Sequence, residues 1–243
     1  MSQIASFNAH WATLKLVSVI GGIMLAYATP VVAQTNFTPT SITRINVQDL
    51  FKQGVEKIEQ GDFQSAIKDF NQVLRIDPAF IEAYCNRGTA RASLGDRQGA
   101  MADFNSALRL NPNHADAYNK RGTTIAQMGD VKSAIAQFNI ALRLDATFVD
   151  AYYNRGLAYS ELGNPKQAIA DYNQAIQLNP SLAEAYGNRG FMRHHLGDQP
   201  GAIADLQKAA QIFSDQKNVA AYQQTLDYIQ TIQSSTLRRS ITP

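Results

Sequence analysis

A 34-residue pattern runs five times without a gap, starting at Val47, Ile81, Ala115, Val149 and Ala183. Gly stands eighth in every copy (Gly54, Gly88, Gly122, Gly156, Gly190) and fifteenth in every copy (Gly61, Gly95, Gly129, Gly163, Gly197). Ala is twentieth throughout (Ala66, Ala100, Ala134, Ala168, Ala202), and a bulky apolar residue is twenty-fourth (Phe70, Phe104, Phe138, Tyr172, Leu206). Tyr is fourth in copies two to five (Tyr84, Tyr118, Tyr152, Tyr186), where the first copy has Leu50. A period of this length means an array of small units. No unit can bury its own apolar side, and each completes its core by stacking on the next.

These positions resemble the tetratricopeptide repeat family, and the resemblance covers Val47 to Gln216, 170 of 243 residues. It implies an all-α fold, an α-solenoid of five helix-turn-helix repeats at 47–80, 81–114, 115–148, 149–182 and 183–216. Helix A is expected over positions 2–14 of each unit and helix B over 18–30. The fifteenth-position Gly closes helix A in the left-handed conformation, and Asp or Asn follows it. Asp77-Pro78, Asn111-Pro112 and Asn179-Pro180 end helix B, because the residue before a proline is kept out of helical geometry. Copy three lacks the proline, yet Asp145-Ala146-Thr147 can still make the turn, while Ser214 to Asn218 reads as a longer loop. The small eighth and twentieth residues fit a close approach of helices A and B. Val219, Tyr222, Leu226 and Ile229 at helical spacing predict a capping helix over 217–235, with a tail at 236–243.

Residues 1–33 read as an export signal. Lys15 is their one charge, Leu16 to Tyr27 is a mostly apolar run, and Val31-Val32-Ala33 supplies small residues for cleavage. The alternative is a retained membrane anchor, but Leu16 to Ala33 is only 18 residues long and contains Pro30. Cleavage after Ala33 would leave a flexible lead-in at 34–46 and place the protein in the periplasm or an equivalent space. The 22 basic and 20 acidic residues nearly cancel, which offers no electrostatic case for nucleic acid or an anionic membrane. Cys85 is the sole cysteine and excludes an intrachain disulfide.

Position seven is Arg in copies two to five (Arg87, Arg121, Arg155, Arg189), and position 23 is Asp69, Asp103, Asp171 and Asp205, with Gln137 in copy three. A row of cations could hold an anionic ligand, but recurrence in step with the acids favours an ion-pair framework. The family resemblance implies that positions 2, 5, 6, 9, 12 and 13 line a concave groove. It gives an expected peptide-binding set of Asn86, Asn119, Lys120, Tyr153, Asn154, Leu157, Asn188 and Phe191. The Asn amides would hold a partner's backbone, and Tyr153, Leu157 and Phe191 would take its apolar side chains. The acids at position two (Glu82, Asp116, Asp150, Glu184) fit either ligand contact or opposition to the helix dipole. Only Lys120 and Lys52 fit the family's carboxylate-clamp subtype, too few to assign it.

His194 and His195 are adjacent and project about 100° apart on a helix, so they cannot share a metal as an i, i+4 pair would. No P-loop, nucleophile elbow or HExxH motif is present. The expectation is a non-enzymatic interaction scaffold for a protein or peptide partner, without cofactor, metal or nucleic acid. Membrane association is expected only if the N-terminal segment is retained. An RNA-reading repeat would call for a basic groove, and the chain without residues 1–33 would carry only one net positive charge, since Lys15 is lost from the total of +2.

Overall fold

A computed structural model describes residues 46–241, with side chains to Ser234; the expected export signal, and the lead-in up to Ile45, lie outside the described residues. The described chain is all-helical, and it divides into two compact units, 46–110 and 111–241.

The first unit holds α1 (Val47–Glu59), α2 (Phe63–Ile76), α3 (Ile81–Ser93) and α4 (Arg97–Leu110). The second holds α5 (Ala115–Gln127), α6 (Val131–Leu144), α7 (Val149–Glu161), α8 (Pro165–Leu178), α9 (Ala183–His195), α10 (Gln199–Asp215) and α11 (Val219–Ile241). Within each unit consecutive helices pack on one another, and successive A helices also touch: α1 with α3, α5 with α7, α7 with α9. This is the helix-pair solenoid that the family resemblance implied. Each A helix begins and ends one residue earlier than expected.

Local chemistry sets the turns. The five fifteenth-position glycines have φ between 72° and 91°, a region closed to most side chains. The residue after each closes the next helix: Asp62 accepts from the Ser65 N–H, Asp130 from Ser133, Asp96 from Gly99 and Asp198 from Gly201. Asn164 makes no such bond, and Pro165, whose φ is already helical, opens α8 instead. At the other turn, Asp77, Asn111, Asp145 and Asn179 each accept a backbone N–H from two residues on. The bond at Asp145 explains why copy three turns without its proline.

The close approach of helices A and B is visible at Gly156, where an added Cβ would lie 2.7 Å from Cε1 of the fully buried Tyr172. Gly54, Gly88 and Gly122 meet Phe70, Phe104 and Phe138 in the same way. In the first unit Phe51 bridges Phe70 and Phe80, with ring centroids 5.8 and 4.8 Å away. In the second, Tyr153, Tyr172, Leu182, Phe191 and Met192 share a core.

The C-terminal end departs from the even pattern. Helix α10 runs on to Asp215, and Lys217 at φ 58° makes the turn. Asn218 then accepts from the Ala221 N–H at the start of α11. Helix α11 buries Ala221, Thr225, Ile229 and Ile232, and it continues to Ile241, beyond the 217–235 expected, into the segment expected to be a tail.

Candidate functional site

The position-seven arginines are consumed by the framework. Arg155 donates through Nε and Nη2 to both oxygens of Asp171, at 2.8 and 2.6 Å, across helices α7 and α8. Arg87 holds Asp103 in the same two-pronged way, and Arg189 holds Asp205. The fork of a guanidinium matches a carboxylate, so one residue fixes both distance and angle between two helices. The remaining arm reaches the helix B before: Arg87 Nη1 donates to Asn71 at 2.6 Å, Arg155 to Asn139 at 2.6 Å, Arg189 to Asn173 at 2.7 Å. Beneath each guanidinium lies the fourth-position ring, with Tyr84, Tyr118, Tyr152 and Tyr186 at 5.1–5.6 Å. A second cation from position 11 joins some sites: Arg91 on Asp103, Arg193 on Asp205, and Lys57 alone on Asp69.

Copy three is the exception. At position 23 Arg121 meets the neutral amide oxygen of Gln137, at 2.6 Å, in place of a carboxylate. Burial therefore lowers the Arg121 pKa, whereas the hydrogen bond and charge of Asp171 raise that of Arg155.

The expected groove residues divide into two groups. Asn86 on α3 is half-buried and makes no side-chain hydrogen bond among the described residues. In the second unit Lys120, Asn154 and Leu157 are half-buried and reach the surface of the A helices. Lys120 pairs with Asp116 one turn back, at 2.5 Å. Asn154 spends its amide nitrogen on Asn119 Oδ1, 3.0 Å away on α5.

The other four do not present themselves to a ligand, and here the sequence reading is corrected. Asn119 is 5 % exposed and serves as the acceptor for Asn154. Tyr153 and Asn188 are each 1 % exposed, and Asn188 Nδ2 donates to the Tyr153 hydroxyl at 3.0 Å. Phe191 is 8 % exposed, under the ring of Tyr228 from α11, with centroids 5.6 Å apart. The cause is the stacking itself. In the second unit Asn119, Tyr153 and Asn188, at positions five and six, fall on the seam where one A helix meets the next, and α11 covers Phe191, at position nine of the last copy. Tyr153 and Phe191 are thus core residues, and Asn188 is a link between repeats.

Sequence reasoning missed the third arm of the arginine network. Its signal was present, because Asn recurs at position 25 in copies one to four (Asn71, Asn105, Asn139, Asn173).

Among the described residues no helix is long and apolar enough to cross a membrane. A sequence profile described as tetratricopeptide repeat matches residues 81–114 and 149–182, and a second, described as TPR repeat, matches 54–95 and 124–163. No curated protein matches the chain. Among solved structures, MamA is 27 % identical, over 68 % of this chain and 96 % of its own, with a TM-score of 0.57. TTC0263, a thermophilic TPR protein of Thermus thermophilus, is 21 % identical, over 74 % and 99 %, with a TM-score of 0.65. YrrB, described as a TPR protein with an unusual peptide-binding site, is 19 % identical, over 71 % and 89 %, with a TM-score of 0.51.

Proposed function

Since this chain belongs to the tetratricopeptide repeat family, we propose that it is a non-enzymatic scaffold that holds a peptide or helical segment of a partner protein. The supporting observation is the division of labour among its A helices. The arginines and the buried Asn and Tyr side chains are occupied in holding the array together. Asn154 and Leu157 remain half-exposed side by side on α7, one polar and one apolar. An amide oxygen beside an apolar side chain suits a backbone donor and an apolar anchor of a partner.

The apolar run at Leu16–Tyr27 supports export as part of this reading, with action in an envelope or membrane complex. The test is capture from native cells by photo-crosslinking, with wild type compared with the Asn154→Ala/Leu157→Ala double variant. A partner crosslinked to wild type and lost in the variant supports the scaffold. A crosslinked partner retained in full by the variant moves the binding surface elsewhere on the molecule.

A further inference from the structure

Within each unit an A helix docks on the copy before it through its third and tenth residues. In the first unit Ala83 and Ala90 of α3 share a core with Phe70, Val73 and Leu74 of α2. In the second, Ala151 of α7 packs with Ala141 and Leu142 of α6, and Ala158 packs with Val131 and Phe138. Ala185 and Met192 of α9 lie in one core with Ala175 and Ile176 of α8. All six docking residues are 3 % exposed or less.

Copy one breaks this rule at both places. Its third residue is Asp49 and its tenth is Glu56, and both are exposed. Glu56 pairs with the exposed Lys52, one turn back on the same helix, at 3.8 Å. Position seven is the exposed Gln53, where Arg87, Arg155 and Arg189 reach back to the preceding helix B. The spacings of four and three put Asp49, Gln53 and Glu56 on one face of α1. An acid in the first turn suits the helix dipole, which accounts for Asp49 alone. Glu56, in the middle of α1, has no such reason to be acidic.

The far end is closed in another way. Helix α11 begins Val219-Ala220-Ala221-Tyr222, which matches Val149-Asp150-Ala151-Tyr152 at the start of α7. Ala221 is buried with Ala209 and Phe213 of α10, as a third residue would be. It is thus a sixth A helix. Leu226 and Gln233 stand where the two glycines of a unit would be, and the helix runs on without turning back. Gln223, Asp227 and Gln230 give it a polar, exposed outer side.

We propose that α1 is a built stop: Asp49, Gln53 and Glu56 occupy the docking places and keep any further unit, from this chain or from a second copy of it, from stacking ahead of copy one. Docking there would bury two carboxylates in an apolar core, and the guanidinium that ties one copy to the last is missing. The same three residues block head-to-tail growth, which a stack without closed ends would allow. None of this depends on the scaffold reading.

The test inserts one further copy of residues 81–114 between Asn46 and Val47 of the full chain. Its helix B brings Phe104, Ala107 and Leu108 to the places that Phe70, Val73 and Leu74 hold in copy one. Ahead of the native copy one, its amides are expected to exchange with solvent as in an unfolded segment, and brief trypsin digestion should remove it. With Asp49→Ala, Gln53→Arg and Glu56→Ala, exchange in the added helices should slow by about a hundredfold or more, because no unpaired charge is then buried. The converse change, Ala83→Asp/Ala90→Glu in the chain without the insertion, should strip protection from α1 and α2 while α7 to α9 keep theirs. Protection of the added copy ahead of the native copy one overturns the inference. So does its absence in both extended chains, or full protection of α1 and α2 in Ala83→Asp/Ala90→Glu.

Discussion

Tyr153 and Asn188 are 35 residues apart, one repeat and one position, and the Asn188 amide nitrogen donates to the Tyr153 hydroxyl at 3.0 Å. Asn154 and Asn119 repeat the offset one unit earlier. Both partners of the first pair are buried, so the bond counts for more than its length suggests. Tyr153→Phe leaves an amide donor without an acceptor in the core, at a cost of about 1–3 kcal/mol. Tyr153→Ala also opens a cavity beside Tyr172 and should cost about 3–5 kcal/mol. Urea melts followed by circular dichroism measure both. Melts that coincide with wild type would mean that the seam is open to water.

Alkaline pH should destabilise the fold. Burial pushes Tyr153, Tyr172 and Tyr228 above the ordinary tyrosine value of 10.0. A raised pKa in the folded state favours the neutral phenol there. The resulting stability is complete below about pH 10 and is lost above it, as the unfolded chain ionises first. Ultraviolet titration of the phenols should show Tyr153 and Tyr172, 1 % and 0 % exposed, ionising together with unfolding. Gradual ionisation of these two in a chain that keeps its helical signal would contradict their burial.

Gly156→Leu tests the contact between helices A and B. Its Cβ would enter at 2.7 Å from Tyr172, whose ring is fully buried and has no room to yield. Overpacking of this kind should cost about 1–3 kcal/mol or more. Gln167→Lys, on the exposed side of α8, should stay within roughly 0.5 kcal/mol. The urea midpoints of the two variants compare them directly.

Copy three offers a gain of stability. Gln137→Asp gives Arg121 the carboxylate its counterparts already have, and should stabilise by about 1 kcal/mol, the difference between a neutral and a charge-assisted bond. The reverse change, Asp171→Asn, leaves Arg155 without its countercharge and should cost about 1–3 kcal/mol. Thermal melts of both variants decide the point. A destabilised Gln137→Asp would show that the amide is already the better partner for Arg121.

For export, cleavage after Ala33 is the expected outcome. N-terminal sequencing of the native protein reads it, and an intact Met1 in the membrane fraction would favour the retained anchor.

Much of this architecture was legible in the chain because its causes are local. A glycine at positive φ, an aspartate that caps the next helix and an Asx turn are each written in two or three neighbouring residues. The Arg–Asp pairing was legible for a different reason, since two charges that recur in step advertise each other. The groove was read less well. Asn119, Tyr153, Asn188 and Phe191 were assigned from their places within one repeat, but burial there is decided by residues a repeat away and by Tyr228 on the last helix. The asparagine that receives the third arm of Arg87, Arg155 and Arg189 went unseen because it belongs to the preceding copy.

That third arm has a consequence for how such a chain can change length. Three joints show it, Asn71 to Arg87, Asn139 to Arg155 and Asn173 to Arg189, each an asparagine on one copy and an arginine on the next, like the socket and pin of a chain link. A whole unit duplicated or deleted among the inner copies presents the same socket and pin to its new neighbours. The last copy ends the series, because Gln207 stands where the asparagine would be. Length can therefore vary in steps of one unit, and an insertion of any other size would leave a guanidinium with its third hydrogen bond unmade.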